Sequence, residues 1–225
     1  MPHFYKHYHE LGVVRFAFGI SGGKHNPSWD GVQDYNTHGA KVFLTETYTG
    51  SLNEKLEGVF INQTRLRFNE WYIPTDLDEF HYIKGFESFE KIKEQCTREG
   101  ALFAETLFED RITEDGHIPP NILPDISIFD QFPRNGRITE LITHGCCNKI
   151  CLASPSTPLT DGHHQTQSKY LPFSQLGTTY HFKWFGNLIE REKEKLAARI
   201  KNGYPFFTES KLLLEHLTNH EGKLI

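Results

Sequence analysis

Short runs of β-forming residues alternate along this chain with segments of helical period, and that alternation restricts the fold more than any other feature. Val13-Val14-Arg15-Phe16-Ala17-Phe18-Gly19-Ile20 and Lys41-Val42-Phe43-Leu44-Thr45 are rich in β-branched and aromatic residues and read as strands. Further strands are predicted over Glu70 to Thr75, Ala101 to Phe108 and Lys149 to Leu152. A helix over the first dozen residues ends at Gly12, which suits a left-handed cap. A second opens at Ser51 and runs through Leu56, Val59 and Phe60 toward Arg65. A third starts after Ser88, with Phe89, Ile92 and Cys96 on one face and Gly100 at its end. Leu188, Ile189, Leu196 and Ile200 line one face of a charged helix stopping near Gly203, and a last helix covers Thr208 to Leu217. The stretch from Glu109 to Gly145 holds Pro119, Pro120, Pro124 and Pro133 and reads as loops. Strands interleaved with helices predict an α/β fold: one domain over 1–225, with a central, mostly parallel sheet flanked by helices and a helical C-terminus.

Composition narrows the function classes. Hydrophobic residues make up 37%, including 18 Phe, so the chain holds material for a core. A net charge of -5 without a basic run disfavours nucleic acid as a partner. No apolar stretch approaches the roughly 20 residues of a membrane-spanning helix. The opening residues lack a signal-peptide layout, and Cys96, Cys146, Cys147 and Cys151 make a poor disulfide framework. A reducing, cytoplasmic setting is expected, and the Asn62-Gln63-Thr64 sequon carries little weight in it.

The candidate chemistry centres on Asp76-Leu77-Asp78-Glu79, into which the apolar run Trp71-Tyr72-Ile73-Pro74-Thr75 empties. In an extended chain residues i and i+2 share a face, about 6.6 to 7 Å apart. Asp76 and Asp78 would then point together while Leu77 faces the packing side. Hard divalent cations such as magnesium and manganese favour carboxylate oxygens, completed by waters and substrate phosphates. In open α/β sheets ligands bind beyond the carboxyl ends of strands, where this pair is expected. An EF-hand loop is excluded because Phe80 and His81 stand where an oxygen ligand and a glycine are needed. A Walker loop is excluded at Gly23-Lys24, where His25 replaces the required Ser or Thr.

Trp71-Tyr72-Ile73-Pro74-Thr75-Asp76-Leu77-Asp78-Glu79-Phe80 resembles the W-x-I-x-x-D-x-D-E-F stretch of family-2-like and family-92-like glycosyltransferases. Other pieces match in the same order. His7-Tyr8 with Leu11-Gly12-Val13 is similar to their H-Y-x-x-L-G-V helix, and Asp110-Arg111 with Gly116 to a D-R-x-x-x-x-G segment followed by Gln131-Phe132-Pro133. Lys149 and Gly162-His163-His164 resemble a K and G-x-H pair, and His181-Phe182-Lys183-Trp184 the closing H-F-K-W. The resemblance implies a GT-A fold, a UDP- or GDP-sugar donor, a glycan acceptor and a divalent metal. It implies a nucleotide-sugar half over 1–85, an acceptor and metal half over 86–185, and C-terminal helices over 186–225. It places the metal on Asp76, Asp78 and His164. The family's opening strand, with its N-E motif for the nucleotide base, has no counterpart in the residues given.

The remaining candidates follow from charge. Asp76, Lys149 and His181 are candidate donor-binding residues, and Lys149 and Lys183 would neutralise a departing diphosphate. Of Glu109, Asp110, Asp130 and Asp161 in the loop-rich middle, the resemblance of Asp110-Arg111 to the family's D-R segment makes Asp110 the first choice for a carboxylate that deprotonates the acceptor hydroxyl. A zinc site among His144, Cys146, Cys147, Cys151 and His163 is disfavoured because only Cys147 and Cys151 have ligand spacing. Buried thiols are expected instead. A nucleotidyl- or phosphotransferase, or a carbohydrate-binding domain without catalysis, are the rival functions.

Overall fold

The computed structural model describes residues 2–21, 41–48, 54–166, 177–201, 203 and 207–225. The Gly22-Gly23 loop, the cap at Ser51 and the side chain of Asp161 lie outside the described residues. In chain order the elements are α1 (Pro2–Glu10), β1 (Arg15–Ser21), β2 (Lys41–Tyr48), α2 (Glu54–Phe68), β3 (Glu79–Ile83), α3 (Phe89–Glu99), β4 (Phe103–Ile112), α4 (Ile128–Gln131), β5 (Arg134–Gly136), β6 (Asn148–Ala153), β7 (Gly177–His181), α5 (Leu188–Lys201) and α6 (Phe207–Asn219). The punctuation read from sequence explains several ends. Gly12 sits at φ +89° behind α1, Ser88 accepts the Lys91 amide at the start of α3, and Gly100 closes that helix at φ +69°.

The fold is mixed α/β with a helical C-terminus. β1 and β2 pair in parallel as a two-stranded sheet. The five-stranded sheet has the order β3-β7-β4-β5, with β6 also pairing with β4. β4 meets both β5 and β6 antiparallel, so these pairings depart from the mostly parallel sheet expected. Connection length does not force this direction, because residues 113–133, which include α4, lie between β4 and β5. Gly177 is required where β7 meets β3, because a Cβ there would lie 1.9 Å from the Tyr82 carbonyl oxygen.

The chain divides into two compact units, Met1–Leu107 with Asn148–Thr178, and Phe108–Cys147 with Thr179–Ile225. In the first unit Phe103, Ile150, Ala153 and Leu159 form a buried cluster, with Ile61, Tyr72 and Leu102 packed on it. In the second, Ile112, Ile138, Trp184, Leu188, Leu213, Leu217 and Leu224 form another.

Three local expectations change. The run over 70–75 forms no strand: only Tyr72 bridges to Ala153, and the strand begins at Glu79, after the aspartates. Pro74 has no amide to give a ladder, which fits the break. In α5 the buried positions are Leu188, Glu192 and Arg199, while Ile200 is 61% exposed, so its inward face carries charge. Finally, Cys96 and Cys151 are buried, whereas Cys146 and Cys147 are exposed in the turn before β6.

Candidate functional site

Asp76 to Glu79 form a tight turn rather than an extended ladder, closed by the Glu79 amide donating to the Asp76 carbonyl at 3.1 Å. The i and i+2 face argument therefore does not govern Asp76 and Asp78, and Leu77 is 43% exposed instead of packed. Side chains lock the turn from both sides. The Asp76 amide donates to Glu79 Oε2 at 3.2 Å. The buried Tyr8 hydroxyl, reaching over from α1, donates to the Glu79 carbonyl at 3.0 Å and accepts the His81 amide at 3.3 Å. It also bonds Thr75 Oγ1 at 3.1 Å, and His7 Nε2 donates to the His81 carbonyl at 2.9 Å. The His7-Tyr8 motif thus acts as a clamp on residues 75–81.

Lys149 enters from β6, next to the buried Ile150, Cys151 and Leu152. Its side chain is 1% exposed, a burial that a lone ammonium would not tolerate. Nζ lies 2.7 Å from Glu79 Oε1 and 3.5 Å from Asp76 Oδ2, and donates to the Gly162 carbonyl at 2.9 Å. Gly162 takes φ +73°, and beside it His164 Nδ1 donates to the Asn148 carbonyl at 2.5 Å. His81 and His163 are buried in the same unit. Burial, and then the Lys149 charge, push both imidazoles down to about 3, so they are neutral at pH 7.

The second unit holds a different centre. Asp110, on β4, is buried and accepts from the Thr139 amide at 2.6 Å, Thr139 Oγ1 at 2.9 Å, His181 Nδ1 at 2.9 Å and Trp184 Nε1 at 3.0 Å. Burial alone would raise its pKa, but the hydrogen bonds and charge of His181, with those of Thr139, outweigh it and hold the carboxyl below its ordinary range. Arg111 lies over the Phe129 and Tyr180 rings and donates to the carbonyls of Phe132 and Pro133. The Asp110-Arg111 dipeptide is therefore two separate anchors, not an ion pair. Lys183 Nζ lies 3.9 Å from Glu192 Oε1, and Glu192 accepts from Ser210 Oγ at 2.6 Å.

The structure brings Asp76 to Lys149, and Asp110 to His181. Asp78 is half-buried within the turn. Among the described residues no group of three or more His, Cys, Asp or Glu side chains gathers as a metal site, so Asp76, Asp78 and His164 are not assembled as a three-ligand set. Glu79, Tyr8, His81, His163, Thr139 and Trp184 carry contacts for which the sequence reading gave no role. Glu79 stood inside the motif, and its signal was the buried lysine that needs a carboxylate. No family model matches this chain, and no curated protein matches it significantly.

Proposed function

We propose that this protein transfers a sugar from a nucleotide-diphosphate donor to a hydroxyl acceptor such as a saccharide, with a divalent cation at Asp76 and Asp78. The observation that carries this reading is the acidic turn itself. Two carboxylates sit on a short segment that Tyr8, Glu79 and Lys149 hold in place, and Asp76 keeps 49% of its side chain exposed. The donor set suits manganese or magnesium, which bind through one or two carboxylates and complete their shell with water and substrate phosphates. When bound, such a cation neutralises diphosphate oxygens and eases departure of the nucleoside diphosphate.

The chain's own part is positioning. Asp76 and Asp78 would hold such a cation, and the α1 contacts to Thr75, Glu79 and His81 fix the backbone on either side of them. The bond from the sugar C1 to the diphosphate oxygen breaks, the bond from C1 to the acceptor oxygen forms, and the hydroxyl proton passes to the departing diphosphate or to water. Asp110 takes no part in this step: its carboxylate already accepts four hydrogen bonds within its own unit.

Incubation with UDP- and GDP-sugars, with and without manganese, tests the reading. Manganese-dependent release of nucleoside diphosphate, lost in Asp78→Asn, is the expected result. Pyrophosphate release from nucleoside triphosphates would favour a nucleotidyltransferase instead. Glycan binding with no response to any nucleotide sugar would favour a binding domain.

A further inference from the structure

Cys146 and Cys147 are neighbours in the chain and both exposed, whereas Cys96 and Cys151 are buried. Adjacent Cα atoms stand ~3.8 Å apart, short of the ~4.4 to 6.8 Å that most disulfides span. A bond between neighbouring cysteines therefore closes a small, strained ring around their own peptide unit. Strained and exposed disulfides are the readily reduced, regulatory ones. The Arg137 guanidinium, held by Glu140, lies near enough to Cys147 to feel its charge. Exposed cysteines in electropositive surroundings are the reactive kind. The segment is also tied down on both sides. The Cys147 carbonyl accepts the Phe108 amide of β4 at 2.7 Å, and the Gly145 amide donates to the Thr139 carbonyl at 2.7 Å. Gly145 packs so closely there that a Cβ would lie 2.8 Å from the Thr139 methyl carbon. Thr139 in turn supplies two of the four hydrogen bonds on Asp110.

We propose that Cys146 and Cys147 form a reversible redox site, oxidised to a disulfide between them by low-molecular-weight disulfides, and that ring closure loosens the Phe108 and Gly145 hydrogen bonds. The Cys147 thiolate attacks the small disulfide, forming a mixed disulfide and releasing one small thiol. Cys146 then gives up its proton and attacks the Cys147 sulfur, which closes the ring and releases the second small thiol. Both protein thiols are oxidised, and the small disulfide is reduced to two thiols. Ring closure restricts φ of Cys147, the rotation that aims its carbonyl at Phe108, and ψ of Cys146, one residue from Gly145. The oxidation state is thereby passed to Thr139 and to the donors around Asp110.

The test equilibrates the full, initially reduced chain with mixtures of oxidised and reduced glutathione, quenches it in acid, and weighs the peptide that carries both cysteines. Loss of one hydrogen from each thiol, reversed by excess reduced glutathione, is the expected result. Cys146→Ser and Cys147→Ser should each stop at a glutathione adduct, while melting as the reduced wild type does. Exchange of the Phe108 and Gly145 amides, followed by NMR, should run about 2- to 10-fold faster in the oxidised wild type. These wild-type readings need no substitution, so they decide the matter even where a variant fails to fold. Free thiols at every glutathione ratio, or stable adducts on both cysteines, overturn the redox site. So does a bond to Cys96, to Cys151 or to a second chain. A ring that forms while both amides exchange at their reduced rates overturns the coupling to Thr139.

Discussion

The two buried charge centres of this chain are built in opposite senses. In the first unit a cation, Lys149, is surrounded by acceptors: Glu79, Asp76 and the Gly162 carbonyl. In the second an anion, Asp110, is surrounded by donors from Thr139, His181 and Trp184. The Asp110 centre closes on itself, because one carboxylate accepts four hydrogen bonds from three residues and is 1% exposed. The Lys149 ammonium is as deeply buried, with Glu79, Asp76 and the Gly162 carbonyl around it, but its centre borders on Asp76, about half of whose side chain reaches solvent. A saturated buried charge holds a fold together. In the other centre Asp76 is exposed and Asp78 half-buried, so charge there borders on solvent.

The contrast is tested first where its effect is largest. Asp110→Ala leaves the indole, imidazole and Thr139 donors without their acceptor and is expected to cost about 3–5 kcal/mol in chemical denaturation. Asp78→Asn, in the other centre, is expected to stay within about 0.5 kcal/mol of wild type. Equal costs at the two sites would erase the distinction.

Acid separates the centres next. His81 and His163 have folded values near 3, below the ordinary 6.5, so the unfolded chain takes up protons first as pH falls. Their stabilisation is complete above pH 6.5 and drains between there and 3, on the order of 2 kcal/mol for each imidazole by pH 5. Asp110 is depressed from a carboxylate value, so its contribution survives to about pH 4 and is lost only below it. Denaturation midpoints between pH 7 and pH 3 should fall in two stages, and His163→Gln should flatten the upper one. An unaltered upper stage in that variant would contradict the assignment.

The last test concerns the clamp. Tyr8→Phe removes a hydroxyl that bonds Thr75, Glu79 and His81, and is expected to cost about 1–3 kcal/mol. It should also weaken manganese binding at Asp76 and Asp78. A loss of stability with unchanged manganese affinity would show that α1 supports the fold without shaping the turn.

Local punctuation was the legible part of the fold. Gly12, Ser88 and Gly100 marked helix ends because each answers a backbone need that neighbouring residues alone create. Sheet direction was not legible, since it depends on which distant strand takes the other edge of β4. The acidic pair could be read from Asp76 and Asp78, but its geometry could not, because Pro74 and the turn at 76–79 replaced the extended strand assumed for it. Tyr8 and Glu79 escaped assignment for a similar reason. Tyr8 meets the turn across more than 65 positions of chain, and Glu79 acquires its meaning only once Lys149 is buried beside it.

The most direct measurement is calorimetric titration of UDP and GDP into the wild-type protein and Asp78→Asn, each with and without manganese. Binding of at least one nucleotide that requires manganese and disappears in Asp78→Asn is the expected result. Nucleotide binding of equal strength without manganese, or preserved in Asp78→Asn, would contradict the acidic turn as the seat of the donor diphosphate.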